Sequence, residues 1–422
     1  MRALPALGAS AIISRMRSGA AFFPALRLLP LVFGCGAADP SDSMSGGSGA
    51  AAAGGAGGSG ATSGAGGSSA PGGGNSGGGG NSGGGSGASP GAGGAGGSGA
   101  TTAQPCDLST GHDGDELCIR PPDPALGFQV HYGPSSYDEQ AKAPFMLAPG
   151  RELTDCFNVR APNDREVYVR GYHARMRPGS HHMIVSASTS TRPDGFGACA
   201  SGLDSRMLVG SSTSVRDFPE PGVIVPENEG MAMKLEAGSQ ITFQMHYINT
   251  TTEPILREAW VNFVYIDPAD VKLLADPVFL VAPQPPIPPR STRITHGSCS
   301  VPADMRIVEL HGHYHAHTVR FSAWKVSSGS RTLIQESYDW HEPASLFYDS
   351  GHRNEPPDPD RLRAGGHDGI LELHPGDTFE FECEVVNDSD NTLTFSNEVY
   401  TGEMCIASGN YAPSFGRAWN CR

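Results

Sequence analysis

The sequence predicts an all-β protein, with two consecutive antiparallel β-sandwich domains of jelly-roll-like kind behind a long Gly/Ala/Ser-rich tether. Three observations carry this. Short runs of alternating or β-branched residues recur after Pro105, at Glu166 to Arg170, His182 to Ser188, Gln240 to Ile248, Ala259 to Ile266, Arg306 to Leu310, Thr318 to Val326, Ile370 to Leu373 and Thr378 to Val386. Turn signals such as Arg177-Pro178-Gly179, Pro193-Asp194-Gly195 and His374-Pro375-Gly376-Asp377 separate them, and helical periodicity is scarce. Many short strands punctuated by Gly and Pro indicate a sandwich or barrel. A proline-rich connector, Ala282-Pro283-Gln284-Pro285-Pro286-Ile287-Pro288-Pro289-Arg290, then divides the strands into two sets. Proline at that density cannot form a central strand and favours an extended spacer.

Four segments follow from the N-terminus onward. Residues 1–35 read as an export signal: Ala20 to Phe33 is mostly apolar, with Arg17 and Arg27 supplying positive charge. The run is too short to span a bilayer and leads into a polar tether. Val32-Phe33-Gly34-Cys35 is similar to a bacterial lipobox, which makes Cys35 a candidate for lipidation, although Phe33 is bulky for its place. A plainly secreted protein is the alternative. Residues 36–103 form the tether, with 28 of the 57 glycines lying between Gly46 and Gly99. Almost no apolar side chain is present there to offset the entropy of ordering, so this stretch is expected to be disordered. Residues 104–282 and 291–422 are the two expected sandwiches. Glu336 to His367 reads as a long loop in the second.

The formal net charge is −15, with no basic cluster in the folded region. That argues against nucleic acid as a partner, and it leaves a lipid on Cys35 as the route to a membrane. Nine cysteines are present. Setting Cys35 aside leaves eight, an even number suited to four disulfides in an oxidising compartment, and none has the CxxC spacing of a zinc or redox site.

The chemistry centres on Leu310-His311-Gly312-His313-Tyr314-His315-Ala316-His317. Alternate side chains leave a strand on one face, so the spacing directs all four imidazoles the same way. Imidazoles gathered so are costly to bury without a partner and well placed to hold zinc, copper, iron or nickel. Three further features join them. Ser180-His181-His182-Met183 carries adjacent histidines, which need a bend or bulge to serve one ligand, and Pro178-Gly179 lies just upstream. Phe243-Gln244-Met245-His246-Tyr247 has a histidine in an apolar strand, and Gly402-Glu403-Met404-Cys405 sets a methionine beside a cysteine.

In this order, and with these separations, the chain resembles the copper type II, ascorbate-dependent monooxygenases, the group of peptidylglycine α-hydroxylating monooxygenase and dopamine β-monooxygenase. The resemblance covers about Cys156 to Cys421. It implies two coppers per chain, one held by His181, His182 and His246 and a second by His313, His315 and Met404. They would face each other across a solvent-filled cleft. His311 and His317 compete for the second site, but the counts from Cys299 and to Trp324-Lys325 favour His313 with His315. Gln244 matches a position near the electron route. The implied disulfides are Cys156–Cys199, Cys299–Cys421 and Cys383–Cys405, with Cys106–Cys118 left as a local pair.

The implied activity is hydroxylation of a C–H bond in a small-molecule substrate by O2, with ascorbate or another one-electron reductant. A thioether favours Cu(I), the state that binds dioxygen, whereas three imidazoles tolerate both oxidation states. The residues that bind a peptide carboxylate in the amidating enzyme are replaced here by His311, Ile406 and Ser408, so peptidylglycine lacks its anchor. Two other readings exist. One is a copper-binding surface lipoprotein that keeps fold and ligands without turnover. The other is a zinc hydrolase, against which stand the missing HExxH and a methionine placed as a ligand.

Overall fold

The computed structural model describes residues 103–421 apart from 189, 200–204, 220–224 and 355–367. The export signal, Cys35 with its lipobox-like surroundings, and the Gly-rich tether lie outside the described residues. What is described is an all-β sandwich protein with one short α-helix, Glu139–Lys142, capped by the Asp138 carboxylate on the amides of Gln140 and Ala141. Among the described residues no helix is long and apolar enough to cross a membrane.

The principal strands of the first sandwich are β1 (Gly127–Tyr132), β2 (Glu152–Arg160), β3 (Val167–Met176), β4 (Ser180–Ser188), β5 (Ser205–Ser211), β6 (Val215–Phe218), β7 (Met231–Leu235), β8 (Gln240–Ile248) and β9 (Ala259–Ile266). Those of the second are β10 (Asp276–Val281), β11 (Ser291–Ser300), β12 (Met305–Tyr314), β13 (Thr318–Ser327), β14 (Ser330–Ser337), β15 (Ser345–Phe347), β16 (Leu371–Leu373), β17 (Thr378–Asn387) and β18 (Cys405–Ala412). The two sheets of the first sandwich run β1-β9-β3-β7, with β6 also on β3, and β2-β8-β4-β5. In the second sandwich β10-β18-β12-β15, with β16 also on β12, faces β11-β17-β13-β14.

The alternation of β8 shows why these residues form such layers. Ile241, Phe243, Met245 and Tyr247 are fully buried in the first apolar core, while Gln240, Thr242, Gln244 and His246 leave the other face. Strand β12 does the same for the second core, burying Leu310 and Tyr314 beside Phe321, Phe379 and Phe381. The opposite face of β12 carries Glu309, His311 and His313. Gly312 lies directly over the Phe321 ring, where a Cβ would stand 2.7 Å from it.

Two details differ from the sequence reading. The change of sheet falls at Ala275/Asp276, before the prolines, because β10 pairs along its whole length with β18. The proline-rich stretch is instead tied to the second sandwich through the Ile287–Leu393 bridge and the Asn387 side-chain amide, which donates to the carbonyls of Ile287 and Pro288. The four disulfides are Cys106–Cys118, Cys156–Cys199, Cys299–Cys421 and Cys383–Cys405. Four disulfides are more typical of exported proteins than of cytoplasmic ones.

A polar seam joins the two sandwiches. Arg216 on β6 forms a short, buried ion pair with Glu309 on β12, and Asn410 on β18 donates to the same carboxylate at 3.2 Å. Arg216 also lies over the Phe347 ring, 5.0 Å from its centroid. Val308 and Ala412 enter the first core from the second sandwich, so the seam has an apolar component as well.

Removing one member of a buried ion pair leaves a desolvated charge behind. Glu309→Ala should therefore destabilise the protein by about 3–5 kcal/mol, whereas Arg216→Met with Glu309→Leu should recover most of the loss. Denaturant unfolding of the disulfide-intact protein measures both. Equal losses in the single and double variants would show that packing, not charge, decides.

Candidate metal centre

The strands bring five imidazoles together at the seam. His181 and His182 come from the start of β4, His246 from β8, His313 from the end of β12, and His315 from just beyond it. Ring centroids are 4.7 Å apart for His182 and His313, 5.0 Å for His181 and His313, and 5.1 Å for His182 and His246. They are 5.2 Å apart for His181 and His246, and 5.4 Å for His313 and His315.

Local backbone explains how neighbours share one place. His246 pairs with His182 and Tyr247 with Ser180, so the β4 register steps over His181. That extra residue is a bulge, the device adjacent histidines need to point the same way. Gly179, at φ 88°, supports the turn into it. In the second sandwich, Glu403 reaches back with one carboxylate oxygen and accepts from the amides of His315 at 2.7 Å and Met404 at 2.8 Å. The chain of β12 past Tyr314 and the residue before β18 are thereby clamped together.

The five rings are only 0–8% exposed. Both ring nitrogens of His181, Nδ1 of His182, Nδ1 of His246 and Nε2 of His313 have no hydrogen-bond partner. His315, beside the backbone of Glu398 and Gly402, makes no hydrogen bond of good geometry. Buried polar atoms without partners are uncommon and call for an explanation such as an ion. His246 differs in one respect: its Nε2 is 2.8 Å from Glu152 Oε1, the same oxygen that accepts from the amide of Val399 across the seam. A carboxylate on the outer nitrogen orients a ligating imidazole and raises its basicity.

The electrostatics agree with a metal-ready site. Burial, then the neighbouring imidazoles, holds His181 and His182 well below their ordinary pKa, and burial does the same for His315. His313 is pushed down to about 3 by burial and by His246 and His311. All four are neutral at pH 7, the form that ligates. Glu403 is raised to about 7 by burial, against the pull of the two amides it holds.

Not every sequence candidate joins the cluster. His311 is buried two residues earlier on β12, beside Glu309 (3.8 Å) and Arg216, and is pushed down to about 3 by burial and the guanidinium. His317 turns away, its Nε2 on the carbonyl of Tyr400 at 2.9 Å. The four histidines of this stretch therefore do not share one face: β12 ends at Tyr314, and the chain bends at Ala316. Gln244 shares a face with His246 but lies one step along β8, outside the group of rings. Met404 is buried and belongs to neither apolar core, and it directly precedes Cys405, whose register partner is Tyr314. Instead of two ligand groups across a solvent-filled cleft, the described residues form a single closed cluster. The seam contacts of Arg216–Glu309 and Val399–Glu152 keep the two sandwiches together there.

Sequence reasoning assigned no role to Glu152 or Trp340 and passed over Glu403. Trp340 stands 5.5 Å from His181, centroid to centroid. Glu403 stood in the Glu-Met-Cys run, so it was findable. Glu152 is 94 residues from the histidine it holds and left no local signal.

No protein-family model matches the chain, and no curated protein matches it. Among solved structures, a vicilin from Solanum melongena aligns over 68% of this chain and 80% of its own at 5% identity, with a TM-score of 0.11. At that score the likeness carries no argument.

The depressed imidazoles fix the sign of the pH dependence. A histidine whose folded pKa lies below the ordinary 6.5 binds fewer protons when folded, so its stabilising contribution is present above 6.5 and is lost as pH falls toward 3. Glu403 opposes this between its ordinary 4.5 and about 7, where the folded state holds the extra proton. Metal-free protein should thus unfold at progressively lower temperature as pH drops below 6.5, with Glu403→Gln steepening the dependence between 4.5 and 7 and His181→Ala shallowing it. Thermal unfolding of chelator-treated samples checks this. An unchanged slope in both variants would count against buried neutral rings.

Proposed function

We propose that this protein is an exported copper-dependent monooxygenase that hydroxylates a C–H bond of a small organic substrate, using O2 and an external one-electron reductant such as ascorbate. The observation that supports it best is the gathering of His181, His182, His246, His313 and His315, buried and without partners on most ring nitrogens. The backbone of Met404 is tied to that of His315 through one carboxylate oxygen of Glu403. In this reading His181, His182 and His246 hold one copper, and His313, His315 and Met404 hold the other. Copper bound there would supply one-electron transfer and activation of dioxygen.

The chain's own residues prepare the place for that chemistry. Glu152 fixes the ring orientation of His246 from its outer nitrogen. Glu403 sets the spacing of His315 and Met404 through their amides, and the Cys383–Cys405 disulfide anchors the residue after the thioether. The soft sulfur of Met404 favours the reduced ion, and burial keeps water from the rings. A neutral His311 in place of a cation leaves a substrate carboxylate without a bidentate partner, so the substrate is expected to lack one at that point. Export with attachment through Cys35 to the cell envelope accompanies this reading, and the four disulfides support the export.

A second reading, a copper-binding surface lipoprotein without turnover, is favoured by the closed packing of the rings. Product formation separates the two. Reconstituted protein should bind two coppers and consume O2 only with reductant, yielding a hydroxylated product from some member of a broad substrate panel. Two coppers with no product would support the second reading and end the first. Met404→Ala should lower turnover by at least about 100-fold while retaining the copper on His181, His182 and His246, and X-ray absorption should lose its sulfur scatterer. A sulfur signal that survives the substitution would remove Met404 from the site.

A further inference from the structure

The five rings can be divided between ions sandwich by sandwich, or across the seam, and the distances distinguish the two. The ligating nitrogens of His181, His182 and His313 all lie within 4.8 Å of one another. His246 and His315 are not members of that tight group, and one nitrogen of His246 is already committed to Glu152. Around a tetrahedral ion with metal–nitrogen bonds of about 2.0–2.1 Å, ligand nitrogens stand about 3.3 Å apart. Inward shifts of about an ångström, within reach of χ rotations, would close the group on one ion. Each of the three side chains carries at least one ring nitrogen without a hydrogen-bond partner and is at least nine-tenths buried.

We propose that the first ion to enter the cluster is held across the seam by His181, His182 and His313, fastening β4 of the first sandwich to β12 of the second. The ion is of the class that takes neutral imidazole in a tetrahedral site without needing redox change, Zn²⁺ or Cu⁺. The clasp draws on the same cluster as the proposed copper centre but divides the rings differently for its first ion. It uses none of that centre's oxygen chemistry, so it can stand if turnover does not. Neither sandwich alone supplies the site, because two ligands come from one side of the seam and one from the other. Ion binding therefore stabilises only the joined arrangement, by mass action on the folded state.

Zinc alone, added to the chelator-treated, disulfide-intact full chain without reductant, tests this. The first equivalent should bind at one site, and anomalous scattering from zinc-loaded crystals should place it within bonding distance of all three rings. His313→Ala and His181→Ala should each weaken that binding by about 100-fold or more, while His246→Ala and His315→Ala stay within about tenfold. An anomalous peak on His246 without His313, a His313→Ala variant that binds as the unmodified chain does, or no zinc bound would each overturn the clasp. The anomalous map needs no variant, so it decides even if a substitution fails to fold. Zinc across the seam with no hydroxylated product would keep the clasp and remove the monooxygenase reading. Product without zinc at these rings would do the reverse.

Discussion

Everything at the seam depends on keeping five imidazoles out of water while most of their nitrogens lack partners. Such an arrangement is unfavourable by itself, since each desolvated, unpaired polar atom costs about 1–3 kcal/mol. The fold offsets that cost with two sandwiches whose apolar cores are complete and with disulfides on the strands involved. A site that is costly when empty and satisfied by an ion is a site whose affinity draws on the stability of the scaffold.

The carboxylates around the cluster divide the work. Glu152 sits at one ring nitrogen of His246 and also takes the amide of Val399, so one side chain orients that imidazole and ties the sandwiches together. Glu403 touches no ring. It sets the backbone that carries His315 and Met404, and burial raises its pKa because the negative charge is poorly solvated there. Glu309 is committed to Arg216 and keeps a cation near His311, which helps to hold that imidazole neutral. Each acid is near the histidines, yet only one of them faces a ring nitrogen at hydrogen-bond distance.

Strand register decides which histidines meet. The bulge at His181 turns two neighbours toward one volume, and the end of β12 after Tyr314 releases His315 from the alternation that His311 and His313 obey. A regular strand through His317 would have kept His315 and His317 on the face of His313. The bend at Ala316 instead leaves His317 on the carbonyl of Tyr400, which is why alternation alone misjudged this stretch.

By itself the sequence determined the all-β class, through the period-2 runs and their Gly/Pro breaks, and it marked His181, His182, His246, His313 and His315 as chemically unusual residues. Those signals are local: they depend on side-chain spacing along a single strand and on residue type. Only the tertiary structure decided that the rings form one closed cluster, that His311 belongs to the Arg216–Glu309 seam, and that Glu152 holds His246. Those outcomes come from contacts between residues 93 or 94 positions apart, or across the sheets, and no spacing rule records which strands a chain will lay side by side.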